Sequence, residues 1–363
     1  MNFEHVSGAF VAFLVTIIAI YTLDYPARIF GLIDHPCRRK RHAGTVPLTG
    51  GIAIAVGIVA SGALVPVDWL LYWSLPVGVL ILLALGILDD RHQLRAVPRL
   101  LVQMAVASMV VLAGVQVGWL GNPLGTGSVG LGVFAIPFTI LALTFMVNAV
   151  NMMDGMDGLS GGVAFLALIG LLLIAVSEGG FPLASTILLF ASALAAFLLF
   201  NLRFPWRSGA IVFLGDSGSM VLGFVLAWFA ISLAGEPSGG VAPITVAWVL
   251  IIPAADSLAV IFRRIRRGRS PLAPDRTHLH HILLRAGFSV RQAWLVIMVN
   301  QFAWVAVAVG CHLADCSQPR QFVMVTLVIL GYITFSLNAR YFIRARLRAR
   351  RVSDFREFGS ELG

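Results

Sequence analysis

The sequence predicts an all-α polytopic integral membrane protein with about eleven transmembrane helices, and three observations predict it. Of 363 residues, 59% are hydrophobic and only 12% are charged, against roughly 45–50% and 25% in soluble domains. That apolar share (59% of 363, about 214 residues) fills ten or eleven spans of ~20 residues each. The basic residues are also segregated to alternate loops, as a chain threaded through a bilayer requires. A water-soluble fold could not hide so much apolar surface. Disorder, collagen, coiled coil and disulfide-rich secreted scaffolds are excluded on the same figures.

The spans follow one another as apolar runs bounded by Gly, Pro and charge. The first, 8–28, comes after Met1–Ser7, a stretch with Glu4 and no Lys or Arg. Lacking the basic start of a cleavable signal peptide, it is expected to remain as a helix. Runs at 48–66 and 69–88 follow, the second closed by Asp89-Asp90. Next come 100–120, opened after Arg99, and a short run at 131–148. The runs 159–177 and 181–201 are separated by the turn signal Glu178-Gly179-Gly180-Phe181-Pro182. Then come 212–234 and 241–262, the latter closed by Arg263-Arg264, and finally 292–312 and 321–340. No fixed-period repeat, low-complexity tract or soluble domain interrupts them. Residues 1–342 therefore read as one transmembrane domain and 343–363 as a basic tail.

Counting Lys and Arg orients the chain. Of the 26, all but Arg320 fall in 24–47, 89–99, 202–211, 263–291 or the C-terminal stretch from Arg340. One missed helix would invert every loop downstream and destroy that split. The basic side is cytoplasmic, with the N-terminus outside and the C-terminus inside. The pI of about 10.4 thus reflects topology and anion-binding loops, not nucleic acid: Lys40 is the sole lysine, and the arginines cluster in particular loops.

Acids collect on the same face: Asp34, Asp89, Asp90, Asp154, Asp157, Asp216 and Asp275. Carboxylates at the ends of apolar helices are costly unless hydrated, paired or metal-bound. Asp89-Asp90 are adjacent like charges, which suits a hard cation such as Mg²⁺. In Asn148-Ala-Val-Asn151-Met-Met-Asp154-Gly-Met-Asp157, polar groups recur every three residues. A broken or 3₁₀-like helix end would keep such a row on one face. Asp216, in Gly215-Asp216-Ser217-Gly218, offers a third arm for a metal, or an N-cap for the helix it opens. The longest polar loop, 263–291, combines eight arginines with His278-Leu279-His280-His281. Three histidines so close admit a zinc reading, but the arginines and the Mg²⁺-type acids favour a diphosphate. Carboxylates for Mg²⁺, glycines, and Arg and His for phosphates on one membrane face suit phosphoryl transfer between a lipid phosphate and a nucleotide diphosphate. A transporter is the rival reading, with Asp256 as the acid well inside a span, but the weight of charge lies at one surface.

In these residues the chain resembles the polyprenyl-phosphate N-acetylhexosamine-1-phosphate transferases, the MraY, WecA and TagO-like enzymes. The motifs stand in family order: Lys40-Arg41-His42 with Pro47 and Gly50-Gly51, Asp89-Asp90, Asn148/Asn151/Asp154/Asp157, Gly215-Asp216, and Ser270-Pro271 through Asp275-Arg276 to the histidines. The His-X-His-His form is similar to the WecA-like branch and favours UDP-GlcNAc over the MraY donor, UDP-MurNAc-pentapeptide, or another UDP-HexNAc. The resemblance implies a catalytic domain with active-site loops near 29–47, 89–99, 149–158, 202–217 and 263–291, in a bacterial inner membrane, facing the cytoplasm. It implies Mg²⁺ (or Mn²⁺) on Asp216 and Asn151 beneath the UDP diphosphate. Asp89 would face undecaprenyl phosphate as base or orienting group, with Asp90 helping the metal. Asp154 and Asp157 would shape the nucleotide and metal environment, and Arg276, His278, His280 and His281 would grip the diphosphate. Lys40, His42 and Asn148 are further substrate-binding candidates. Membrane lipid is an expected partner, nucleic acid is not, and a homodimer is left open. The expected products are undecaprenyl-diphosphate-GlcNAc and UMP.

Of the three cysteines, Cys37 lies in a cytoplasmic loop, while Cys311 and Cys316 bracket the outer end of the tenth span. Within a continuous helix that spacing puts the Cα atoms beyond ~7 Å. A bridge therefore requires the helix to end between them, and two free thiols are the alternative.

Overall fold

The computed structural model describes residues 3–35, 44–65, 67, 69–207, 209–234, 240–271 and 277–360, with side chains to 349. Among the described residues the chain forms fifteen α-helices. The first half contains α1 (Phe3–Thr22), α2 (Asp24–Phe30), α3 (Gly50–Gly62), α4 (Ser74–His92), α5 (Ala96–Leu112), α6 (Ala135–Met153) and α7 (Leu159–Ser177). The second contains α8 (Phe181–Asn201), α9 (Gly215–Leu233), α10 (Pro243–Val249), α11 (Ile251–Arg266), α12 (Leu279–Arg285), α13 (Val290–Leu313), α14 (Gln318–Leu337) and α15 (Ala339–Ser360). One short antiparallel pairing joins Ile33–Asp34 to Val46–Pro47.

Each expected apolar run coincides with a helix, and the all-α polytopic class holds. The number of spans is lower by length. Among the described residues, seven helices are long and apolar enough to cross a bilayer, or eight if the bent pair α10–α11 is one span. The 13 residues of α3 and the 17 of α5 fall short of the ~20 that a bilayer needs. α4 ends in Asp89, Asp90 and Arg91. Two runs are also broken: 8–28 divides into α1 and α2, and 241–262 turns through 81° between α10 and α11.

α9 is the central helix. It packs against α3, α4, α6, α7 and α10, and Asp216 and Ser232 are its only residues not buried. Lipid is as apolar as leucine, so helices in it associate through close packing rather than hydrophobic exclusion. Two glycines make that packing at the charged end of α9. A Cβ on Gly86 would lie 2.2 Å from Ser217 Cα, and one on Gly51 2.4 Å from Gly218 Cα. No side chain fits at either crossing. α13 and α14 lie at the periphery, α14 with only 11% of its apolar window buried against 83% for α9. α13 ends at Leu313, and Asp315 takes a left-handed φ of 48°. Cys311 and Cys316 therefore flank a helix end, as free thiols. Cys37 lies outside the described residues.

Candidate active site

The C-terminal ends of α4 and α6 and the N-terminal end of α9 meet at one end of the bundle, and each delivers polar side chains there. Asp90, on α4, accepts the backbone N–H groups of Asp216 at 2.7 Å and Ser217 at 3.1 Å. It thereby satisfies two of the orphan donors that open α9, from a different helix. Asp89 is buried, accepts the Leu94 N–H at 2.8 Å and pairs with Arg99. Asp216 Oδ1 accepts the Asn151 amide at 2.6 Å, and that amide also donates to Ser219 Oγ at 2.9 Å. The carboxylates of Asp89 and Asp216 face each other closely enough to repel, and Arg99 offsets part of the charge. Such an opposed pair with an amide oxygen nearby is a hard-oxygen donor set that fits Mg²⁺, an ion usually bound by one or two carboxylates plus substrate phosphates. Among the described residues no three His, Cys, Asp or Glu close around a metal. Substrate oxygens and water would complete the shell.

The second motif does not converge on one point. α6 stops at Met153 and α7 starts at Leu159, so Asn148 and Asn151 are helical while Asp154 and Asp157 lie in the intervening turn. Asn148 donates to Gln103 Oε1 at 2.6 Å and to the Thr144 carbonyl at 2.8 Å, tying α6 to α5. Asp154 accepts Ser160 Oγ at 2.6 Å. Asp157 accepts Arg203 Nε at 2.7 Å and lines a cleft of about 170 Å³ with Leu202, Arg203, Phe204, Val290, Arg291 and Trp294. The turn is held by residues that carried no motif. Asn201 accepts the Gly158 N–H at 2.7 Å and donates to the Val212 carbonyl at 2.8 Å, and Trp294 Nε1 donates to the Gly158 carbonyl at 2.9 Å.

Lys40, His42 and Arg276 lie outside the described residues. The element that follows Lys40 is a backbone dock: Phe213 N–H donates to the Pro47 carbonyl at 2.9 Å and Gly50 N–H to the Phe213 carbonyl at 3.0 Å. It holds the entry of α3 against the entry of α9. The histidines are more enclosed than a surface phosphate clamp would suggest, His278 at 4% and His280 at 2% exposure. His278 Nδ1 lies 2.7 Å from Asp256 Oδ2. Burial, with His281 adding like-charge repulsion, pushes His280 down to about 3, so its ring stays neutral. Two arginines read as loop residues from the sequence lie instead in the last turn of α11 and serve the fold: Arg263 donates to the Thr277 carbonyl at 3.2 Å and to Ser336, and Arg264 donates to the Pro271 carbonyl. Sequence reasoning missed Arg99, Gln103, Ser160, Asn201 and Tyr332. None has a local pattern that marks it, since each partner except that of Ser160 comes from another element.

Comparison with known proteins now adds to this geometry. The model of the family described as "Glycosyl transferase family 4" matches residues 72–234, the stretch that carries Asp89 through Asp216. The chain is 33% identical over 354 residues to the undecaprenyl-phosphate alpha-N-acetylglucosaminyl 1-phosphate transferase of Salmonella typhimurium, covering 95% of each protein. This chain belongs to glycosyl transferase family 4. Its identity to the protein of the same name from Escherichia coli K12 is 32% over 363 residues, covering 97% of both. With the Yersinia pestis protein it is 31% over 350 residues. As a family 4 transferase, the chain has its acidic helix ends and the His-X-His-His segment within the aligned length.

Proposed function

We propose that this enzyme transfers N-acetylglucosamine-1-phosphate from UDP-GlcNAc to undecaprenyl phosphate at the cytoplasmic face of a bacterial inner membrane, releasing UMP. The observation that carries the reading is the opposed Asp89–Asp216 pair, bracketed by Arg99 and Asn151, where three helix ends meet. The curated relatives' names supply the sugar and the lipid.

Asp216 and Asn151, with Asp89 opposite, would hold Mg²⁺, which when bound neutralises the donor diphosphate. The Asp89–Arg99 pair gives the acceptor side both signs of charge. Arg99 would orient the lipid phosphate, and Asp89 would accept any proton it carries. That phosphate needs little base, because its second pKa lies near ~6 by analogy with phosphoserine. A single in-line displacement therefore suffices: the lipid phosphate oxygen bonds to the β-phosphorus of the donor, and UMP leaves. Charge neutralisation and positioning are the terms a phosphoryl-transfer site must supply. Asp90, with both oxygens on the α9 backbone, would keep Asp216 in place beside Asp89.

The test is purified protein in detergent with undecaprenyl phosphate, Mg²⁺ and a panel of UDP-sugars that includes UDP-MurNAc-pentapeptide and UDP-GalNAc, scored for UMP. UMP release with UDP-GlcNAc, dependent on the lipid phosphate and abolished by EDTA, is the expected result. Preference for another donor would overturn the sugar assignment. Activity in EDTA would overturn the metal.

A further inference from the structure

Asp256 has no part in the transfer chemistry above, yet it is an acid only 3% exposed in the α11 arm of a bent span. Its carboxylate meets three donors. Oδ2 lies 2.7 Å from His278 Nδ1, while Oδ1 accepts the Tyr332 hydroxyl at 2.7 Å and the Leu279 backbone N–H at 2.9 Å. These donors come from α14 and from the start of α12. One turn further along α14, Ser336 accepts from Arg263, whose guanidinium also donates to the Thr277 carbonyl at 3.2 Å. The peripheral helix α14 thus secures residues 277–279 twice, through Tyr332–Asp256 and through Ser336–Arg263.

Stability alone gives no reason for this arrangement. Desolvating a carboxylate inside a bent span is expensive, and a well-packed apolar pair would join α11 to α14 at least as firmly. The three donors fix geometry instead. A carboxylate only accepts, so its contact with Nδ1 makes that nitrogen the protonated one, holds the ring plane and leaves Nε2 as the uncommitted nitrogen of His278. The ring of His280 lies parallel to that of His278, with centroids 6.0 Å apart and planes at 10°. His280 in turn abuts the turn between α6 and α7: a Cβ on Gly155 would lie 2.5 Å from its Nε2. The orientation set at Asp256 is therefore handed on to the ring that touches the 154–158 turn.

We propose that Asp256 and Tyr332 are positioning residues for the donor. They clamp His278 in one tautomer and one orientation, so that the His-X-His-His segment meets the nucleotide diphosphate already in its binding geometry. The proposal rests on the reading that this segment grips the UDP diphosphate.

It is tested by steady-state kinetics and melting temperature in detergent for Asp256→Asn, Tyr332→Phe, His278→Gln and the two double variants that pair His278→Gln with each. For Asp256→Asn the KM for UDP-GlcNAc should rise about tenfold, as loss of a hydrogen bond to a charged group implies, and for Tyr332→Phe about threefold. The KM for undecaprenyl phosphate and the melting temperature should not move, and each double variant should be no worse than His278→Gln alone. A purely structural role would instead lower the melting temperature and raise both KM values. Additive losses in the double variants, or an unchanged UDP-GlcNAc KM in both single variants, overturn the clamp. Should Asp256→Asn not fold, the Tyr332→Phe cycle carries the same decision. Failure of the wild type to release UMP from UDP-GlcNAc overturns the donor reading beneath the proposal, and that arm is read independently of the cycles.

Discussion

Asp89 and Asp90 adjoin on one helix end, and their partners separate their roles. Both oxygens of Asp90 accept backbone N–H groups of α9, so Asp90→Ala removes a cap supplied by another helix. Such losses cost about 0.5–2 kcal/mol, and the melting temperature in detergent should fall accordingly. Asp89→Asn should lower kcat more than it weakens UDP-sugar binding, because Asp89 lies opposite Asp216 at the metal and also pairs with Arg99 on the acceptor side; an unchanged kcat would overturn that role. Asp216→Asn keeps the hydrogen-bonding shape but loses the charge beside Asn151. Its turnover at limiting Mg²⁺ should vanish with folding intact, and normal turnover would falsify the metal assignment. His280 adds a pH dependence of stability. Its value is about 3 in the folded protein and ~6.5 unfolded, so between those limits the unfolded chain binds the extra proton. Stability from this group is complete above about pH 6.5 and declines as pH falls toward 3. A melting series from pH 7 to 4.5 should show that fall, and His280→Gln should flatten it.

Among the elements, the bend between α10 and α11 decides most about the site. The helix breaks at Leu250, and Pro253, in the first turn of α11, has no N–H to return to the carbonyl four residues back, that of Val249. The break would leave the Val249 carbonyl unpaired in an apolar setting. Gln301 of α13, itself fully buried, donates to it at 2.9 Å. Gln301→Leu keeps the volume and orphans that carbonyl, at a cost of about 1–3 kcal/mol. A lower melting temperature is expected, together with a raised KM for UDP-sugar, since α11 carries Asp256 beneath His278. Unchanged melting in Gln301→Leu would mean that the bend is held by other contacts. From the sequence this run reads as one straight span. Pro253 is a local signal of a break, but the 81° bend and the partner that satisfies Val249 come from the packing of other helices.

At the scale of the molecule, the asymmetry of charge predicts orientation. On a background lacking native cysteines, Ser270→Cys should react with an impermeant maleimide only after the inner membrane is opened, and Ser128→Cys should react from outside without it. Labelling in the reverse pattern would invert the map and move the acidic helix ends to the wrong side for a cytosolic nucleotide. The membrane class, the helical segments and their order were legible in the chain, because apolar runs are local properties that a bilayer reads segment by segment. Asp89, Asn151 and Asp216 stood out as candidates, since carboxylates and carboxamides at apolar helix ends are conspicuous. Only the tertiary structure decided which of them meet. It turned the three-residue row from Asn148 to Asp157 into separate contacts, committed Asp90 to the backbone of α9, brought Arg99 to Asp89, and joined Asp256 to His278 and Tyr332. Those pairings span up to 127 residues of sequence. They depend on how closely helix backbones approach at Gly51 and Gly86 and on where α11 bends, and the packing of the whole bundle sets both.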